Sequence, residues 1–358
     1  MRLLAAMSGG VDSSVAAALA REGGHDVVGA TLKQWEFDDE ETRLSKGCCT
    51  LDAVADARRA AGIIGIPHYT LDFREVFARE VVDPFVDDYA KGLTPNPCVR
   101  CNELVRFGAV LERARRLGFD GLVTGHYARV ERADDGRVRL LRARNPDKDQ
   151  SYVLYGLDRS ALQSVVFPLG TFETKAEVRE FARGLGLPNA DREDSVDVCF
   201  VGEGRKPGDV VVERDPASVR SGPIVDGRGE IVGEHRGLPY YTVGQRRGLG
   251  SLGSSPAYVT ALLPERNAVV VGAREALRRR TLEASRPRFV SGSAPPKGAR
   301  FDAVVRYRAT PAPVTFRPTA TGFSLGFDEP QTGIAPGQAV VLYAADEVVG
   351  GGTIAHAR

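Results

Sequence analysis

Apolar positions in the first third of the chain alternate between two periods. Residues 2–7 (RLLAAM) form a short apolar run that predicts a buried strand. Ser8-Gly9-Gly10 breaks it, and the Ala-rich stretch from Val11 to about Arg21 predicts a helix, which Gly23-Gly24 ends. Residues 26–32 (DVVGATL) predict a second strand, 51–61 a helix and 66–71 (IPHYTL) a third strand. Helical spacing returns over 73–90 and 103–117, followed by a strand at 121–124 (GLVT) that ends in Gly125-His126-Tyr127. A helical piece at 174–185 closes this half. Strands alternating with helices of this length predict an α/β fold with a parallel sheet covered on both faces. Ligands in such sheets bind beyond the carboxyl ends of strands, where Ser8 and Gly125 both fall.

After about residue 205 helix periodicity disappears and Gly and Pro rise. Short β-like runs appear at 223–232, 239–243, 257–263 and 268–272, then longer ones at 301–308, 313–317, 323–327, 338–343 and 347–354. Their even spacing predicts a small all-β barrel at the end. The domains expected are 1–205, 206–277 and 278–358.

The apolar core of residues 1–7 is too short for a signal peptide, and no run approaches the roughly 18 apolar residues that span a bilayer. A cytoplasmic protein with no membrane partner is the expectation. Of 358 residues, 42% are hydrophobic and 27% charged, which excludes a disordered or fibrous chain. The net charge of +1 hides a segregated surface. Between Arg274 and Arg308 ten Arg or Lys face three Asp or Glu, while Asp38-Asp39-Glu40-Glu41 forms an acidic counterweight. A basic stretch can be a solvated face or a site for phosphates.

Ser8-Gly9-Gly10-Val11-Asp12-Ser13-Ser14 lies between a strand and a helix N-terminus. Glycines let the backbone approach an anion, and free amides at the helix start hold phosphate. No Lys-Ser or Lys-Thr follows the glycines, so this is not a Walker A loop. It matches the SGGxDS pyrophosphate loop of ATP pyrophosphatases, which cleave ATP between its α and β phosphates. Ser8, Ser13 and Ser14 can donate to phosphate, whereas Asp12 suits Mg²⁺ or the ordering of the loop.

Five cysteines, an odd and sparse number, do not make a disulfide scaffold. Cys98 and Cys101 follow the rigid Thr94-Pro95-Asn96-Pro97 segment, before a helix expected to start near Asn102, where a helix N-terminus would lower a thiol pKa. Cys199 lies far away in Asp194-Ser195-Val196-Asp197-Val198-Cys199. Cys48 and Cys49 suit buried inert thiols, and a vicinal pair is an awkward second half for a zinc site. Arg306 and Arg308 alternate around Tyr307, which predicts one strand face carrying both cations.

The chain resembles one family in order along nearly its whole length: the bacterial tRNA-specific 2-thiouridylases, wobble-uridine thiolases of the ATP pyrophosphatase superfamily. The matching segments are SGGVDSS at 8–14, TPNPCVRCN at 94–102, TGHYAR at 124–129, KDQSY at 148–152, CFVGE at 199–203, GQRRGLG at 244–250, RYR at 306–308 and APGQAVVLY at 335–343. The resemblance implies an ATP pyrophosphatase (adenine nucleotide alpha hydrolase-like) domain, a small central domain and a C-terminal tRNA-binding β-barrel. It implies sulfur transfer to the 2-position of the wobble uridine of tRNAs for Lys, Glu and Gln, with ATP as co-substrate. A persulfide donor, such as a cysteine desulfurase or a sulfur-relay protein, is the implied partner beside tRNA.

By motif position the resemblance makes Cys101 the nucleophile and Cys199 the persulfide carrier, with a transient disulfide between them. Ala6, Met7, Ser8, Gly9, Gly10, Val11, Asp12, Ser13, Leu32 and Gly125 would line the ATP site. Asn96, Pro97 and Cys98 would meet the target base, and His126, Lys148, Asp149, Gln150, Arg306, Tyr307 and Gln338 would contact tRNA. Well-known members carry Asp where this chain has Cys98. Cys98, Cys101 and Cys199 could then hold three corners of an iron–sulfur cluster. The relay needing only Cys101 and Cys199 is the preferred reading, and no other metal is expected. Two alternatives differ in class. An amide-forming ATP pyrophosphatase synthetase would need no placed cysteines, and an RNA-binding protein with a relic loop would not keep SGGxDS intact.

Overall fold

The computed structural model describes residues 1–36, 51–134, 136–194, 198–202, 204–249 and 256–358. Cys48, Cys49, the acidic run 38–41 and residues 195–197 lie outside them. Three sheets organise the described chain. The first contains strands β1 (Arg2–Ala6), β2 (Asp26–Lys33), β3 (His68–Asp72), β4 (Gly121–Val123) and β7 (Val165–Val166), in the order β3-β2-β1-β4-β7, parallel throughout. Leu3, Leu4 and Ala5 are buried, as expected for a central parallel strand with helices on both faces. Helix α1 (Val11–Glu22) packs its alanines on one face with α2 (Leu51–Ile64). The other face takes α4 (residues 97–116, with a π-helical stretch at Cys101–Val110), and α3 (residues 74–90, with a π turn at Ala78–Val82) packs against α4 through Phe77, Val81 and Val105. Strand order reverses between β1 and β4, the switch point at which such sheets open a crevice.

The third sheet closes on itself. Strands β12 (Arg279–Phe289), β15 (Gly322–Gln331), β14 (Ala312–Pro318), β13 (Arg300–Val304), β16 (Ala339–Ala344) and β17 (Glu347–Ala357) pair in that order, and β12 pairs back to β17. Closure removes exposed edges. The expected barrel is therefore present, with an addition. A hairpin of β5 (Ala128–Arg132) and β6 (Val138–Arg142), not foreseen from the sequence, leaves the first sheet and joins β17 through Leu141 opposite Glu347. One apolar cluster accordingly runs from Phe107 and Val110 to Val304, Val341 and Tyr343. Between the two in sequence comes a four-stranded sheet, β10 (Tyr258–Leu263), β11 (Ala268–Gly272), β8 (Gly222–Val225) and β9 (Ile231–His235).

Several local expectations fail for identifiable reasons. Residues 239–243 are not a strand: Leu238–Tyr240 make a 3-10 turn entered through Gly237 at φ +139. A helix, Pro207–Arg214, follows residue 205, started by Pro207 and by Asp209 accepting from the Lys206 N–H. The run 223–232 is two strands around a turn in which Asp226 accepts from the N–H groups of Arg228 and Glu230. The run 301–308 stops at Val304, and Arg306-Tyr307-Arg308 is a turn with Arg308 left-handed at φ +61, so no strand face carries the two arginines. Helix α4 begins at Pro97, not near Asn102, because Asn96 caps it by accepting from the Val99 N–H at 3.2 Å. No helix among the described residues is long and apolar enough to cross a membrane.

Candidate active site

A cleft of about 1000 Å3 opens at the β1/β4 switch point. One end is the loop 8–14. Gly9 has φ +78, and a Cβ there would lie 2.3 Å from the backbone oxygen of Ala53. Ser13 Oγ donates to the Gly10 carbonyl at 3.0 Å and accepts from the Ser8 N–H at 3.1 Å. Asn189 Nδ2 donates to the Gly9 carbonyl at 2.8 Å and to Ser14 Oγ at 3.0 Å. These bonds tie down the loop carbonyls at the start of α1. Gly9→Ala should cost about 2 kcal/mol or more, from the left-handed φ and the backbone clash. Thermal unfolding checks this, and an unchanged midpoint would contradict the close fit.

Gly125, at the end of β4, has the same tightness: a Cβ would lie 2.7 Å from the Asp12 carbonyl carbon and 2.8 Å from the Ser13 N. The end of β4 thus meets the first turn of α1 backbone to backbone. Asp12 carries a chain of charges. Lys175 Nζ donates to its two oxygens at 2.6 and 2.7 Å, and Tyr127 OH donates to Oδ1 at 2.7 Å. Lys175 also reaches Asp194 Oδ1 at 2.8 Å, and Lys148 reaches Asp194 Oδ2 at 2.6 Å. Burial works to raise the Asp194 pKa, but hydrogen bonds from Lys148 and Lys175 outweigh it and hold the carboxyl below its ordinary value.

Beyond Gly125 the cleft wall carries His126, Arg106, Asn102, Cys98 and Asn96. Burial above all, with the Arg106 charge adding, pushes His126 down to about 3, so it is neutral. Arg106 Nη1 faces its Nε2 at 3.4 Å, which makes Nε2 the acceptor and leaves Nδ1–H to donate to Thr124 Oγ1 at 2.7 Å. Cys98, in the first turn of α4, is open to the cleft yet surrounded by protein. Desolvation pushes its thiol up to about 11, helped by Cys101 nearby and against the pull of Arg106. The shift is opposite to that expected at a helix start.

Of the residues expected from sequence, Ala6, Met7, Ser8, Gly10, Val11, Asp12, Ser13, Leu32, Gly125, Asn96, Cys98, His126, Lys148, Gln150 and Tyr307 line this cleft. Gly9 lies behind the loop and Pro97 is buried in the helix start. Asp149 turns inward, accepting from the N–H groups of Ala143 and Ser151, from Ser151 Oγ and from Arg142. Arg306 is exposed beside Gly333. Gln338 clamps the barrel to the 94–97 segment by donating to the Thr94 carbonyl at 2.9 Å, and the Thr94 N–H donates to the Pro336 carbonyl at 2.8 Å. Cys101 and Cys199 both sit against the apolar cluster of Phe77, Phe85 and Phe200. Gln34, which lines the cleft, donates to Cys101 Sγ at 3.5 Å, so that thiol lies one side chain behind the wall. No disulfide joins Cys98, Cys101 or Cys199. Among the described residues no group of three His, Cys, Asp or Glu side chains is gathered for a metal, so the three thiols are not one ligand set in this structure.

Sequence reasoning missed Gln34, Asn102, Arg106, Arg192 and Asp194 on the wall and Lys175 behind Asp12. The Lys175–Asp12 contact spans 163 residues, which no local pattern announces. The start of α4 did have a signal, the Asn-Pro pair at 96–97.

Three family models match the chain: "tRNA methyl transferase HUP domain" over 1–203, "tRNA methyl transferase PRC-barrel domain" over 211–273 and "Aminomethyltransferase beta-barrel domain" over 279–354. A curated relative from Moorella thermoacetica, tRNA-specific 2-thiouridylase MnmA, is 50% identical over 98% of this chain and 98% of its own length. The protein of the same name from Chloroflexus aurantiacus (strain J-10-fl) is 47% identical over 99% of this chain and 98% of its own. A solved NMN synthetase from Francisella tularensis superposes with a TM-score of 0.34 and 15% identity, covering 60% of this chain and 77% of that one, too slight a likeness to carry an argument. On the full-length match to its relatives, the chain belongs to the tRNA-specific 2-thiouridylase family.

Proposed function

We propose that the chain thiolates the 2-position of the wobble uridine in tRNA, using ATP. The observation that carries this reading is the single cleft that runs from the pyrophosphate-type loop to the Asn96–Cys98 helix start. A carbonyl oxygen is a poor leaving group, and its attack on the α-phosphate of ATP, with loss of pyrophosphate, converts it into AMP. The terminal sulfur of a Cys199 persulfide then bonds to C2 as AMP leaves. Cys101 attacks Cys199 Sγ, breaking the S–S bond, leaving sulfur on the base and forming a Cys101–Cys199 disulfide that an external thiol reduces. Alternatively, Cys101 attacks the persulfide first and releases sulfide. The common apolar seat of the two thiols supports their meeting. ATP contacts fall to the 6–13 segment, Leu32 and Gly125. A divalent cation such as Mg²⁺ would be held by Asp12 and Asp194 in place of the Lys175 ammonium and would shield the phosphates. The sulfur donor is a persulfide carrier, and the setting is the cytoplasm. Domains 1–205, 206–277 and 278–358 divide catalysis, a central module and tRNA contact.

Asn96 and Cys98 meet the base and His126, Lys148, Gln150, Arg306 and Tyr307 form the tRNA side, while Pro97, Asp149 and Gln338 shape these segments from behind. The turn 306–308 places Tyr307 and Arg308 on the cleft rim. Phosphate contacts release counterions, so tRNA affinity should fall steeply with salt. Replacing Arg306 and Arg308 together by Ala should weaken binding and flatten the log–log salt slope by about two, one per lost contact, with ATP binding unchanged. An unchanged slope would leave the turn as solvated surface. The function itself is tested by nucleoside analysis of tRNA from cells lacking this protein: 2-thiouridine at the wobble position should disappear, and its persistence would refute the reading.

A further inference from the structure

Three cations at the loop end of the cleft are spoken for. Lys175 holds Asp12, Lys148 holds Asp194, and Arg192 Nη1 meets Asp56 Oδ2 at 2.6 Å. Arg106 differs. Among the described residues no carboxylate lies within ion-pair distance of it. Among the described residues its recorded hydrogen bonds run from Nη1 alone, to Asn102 Oδ1 at 3.5 Å and His126 Nε2 at 3.4 Å, both neutral and both long for a guanidinium. Its Nε is buried with no partner. The neighbouring Cys98 is a thiol whose surroundings push its pKa up, so it offers no ready counter-charge. A half-buried cation so poorly paired is costly, and an anion brought into the cleft would offset that cost.

The position narrows which anion. His126, against which the guanidinium rests, follows Gly125, whose backbone is packed on the Asp12–Ser13 peptide. Arg106 thus faces the residue next to the one packed on the loop, while Cys98, near enough to feel its charge, lines the same cleft. We infer that Arg106 binds the α-phosphate of the nucleotide, first in transfer to the base oxygen and then on the departing AMP. This rests on the proposed function. As sulfur bonds to C2 and the C2–O bond breaks, the electron pair moves onto the AMP phosphate. A planar fork of N–H donors stabilises that charge. The inference gives Arg106 a reason to face neutral neighbours: a carboxylate beside it would compete with the phosphate.

The test uses the full-length protein and measures dissociation constants for AMP and adenosine. Wild type should prefer AMP, Arg106→Gln should lose about tenfold of that preference with adenosine affinity unchanged, and Arg106→Lys should fall between. The same Gln variant should slow tRNA-dependent ATP–pyrophosphate exchange. An AMP-to-adenosine ratio unchanged in Arg106→Gln, or lost in Arg308→Ala instead, would overturn the inference. Should Arg106→Gln not fold, an Arg106→Lys ratio equal to that of wild type overturns it alone. A wild-type protein that binds neither ATP nor AMP would refute the proposed function, and this inference with it.

Discussion

Cys101→Ser and Cys199→Ser should each reduce persulfide-driven thiolation by about a thousandfold or more, because a hydroxyl neither carries a persulfide nor attacks one. Their surroundings make the substitution mild for the fold. Both thiols are half-buried against the Phe77, Phe85 and Phe200 cluster, and neither is in a disulfide whose loss would loosen the chain. The Gln34 donor at 3.5 Å finds a serine oxygen as readily as sulfur. Cys98→Ser should lower activity only modestly, because desolvation raises the pKa of that thiol and the relay does not use it. The measurement is single-turnover formation of 2-thiouridine from a persulfide donor by metal-free enzyme. Retained thiolation in Cys199→Ser would remove it from the carrier role. Loss in Cys98→Ser as deep as in Cys101→Ser, with activity confined to enzyme reconstituted with iron and sulfide under argon, would favour the three-thiol cluster over the relay.

Asp12→Ala should cut turnover by about a hundredfold or more while leaving a folded protein. In the structure both Asp12 oxygens are taken, by Lys175 and Tyr127, and its backbone carries Gly125. Truncation removes the residue that aims both the lysine and the loop, but Lys175 keeps Asp194 as a partner. The stability lost is that of a first-turn acid at a helix N-terminus and one tyrosine hydrogen bond, about 1–2 kcal/mol together. Activity measured beside the unfolding midpoint separates the two effects. A deep loss of stability with proportionate loss of activity would make Asp12 a structural residue only.

The alternating half of the fold was legible because strand and helix periods there are clean and glycines mark the stops. The pyrophosphate-type loop was legible because it is contiguous. The β5–β6 hairpin escaped notice because ARVER and VRLLR interleave arginines with apolar residues, and its partner strand lies some 200 residues away. The arginines at 306 and 308 imitate a strand alternation, but the left-handed Arg308 closes a turn. In the cleft, residue types were readable and pairings were not. Lys175 and Asp194 carry no motif, and only the folded sheet brings them to Asp12. Gln338 and Asp149 show the converse: both lie in matching segments, yet one clamps the barrel to the 94–97 segment and the other orders the loop after β6.

The central claim is that ATP is opened at its α-phosphate to activate a tRNA base for sulfur transfer. Incubating the protein with tRNA, ATP and a persulfide donor, then separating the nucleotides and digesting the tRNA, tests it most directly. AMP and pyrophosphate should form together with 2-thiouridine, in equal amounts and dependent on tRNA; ADP and phosphate as the main products, or thiolation without AMP, would contradict the account.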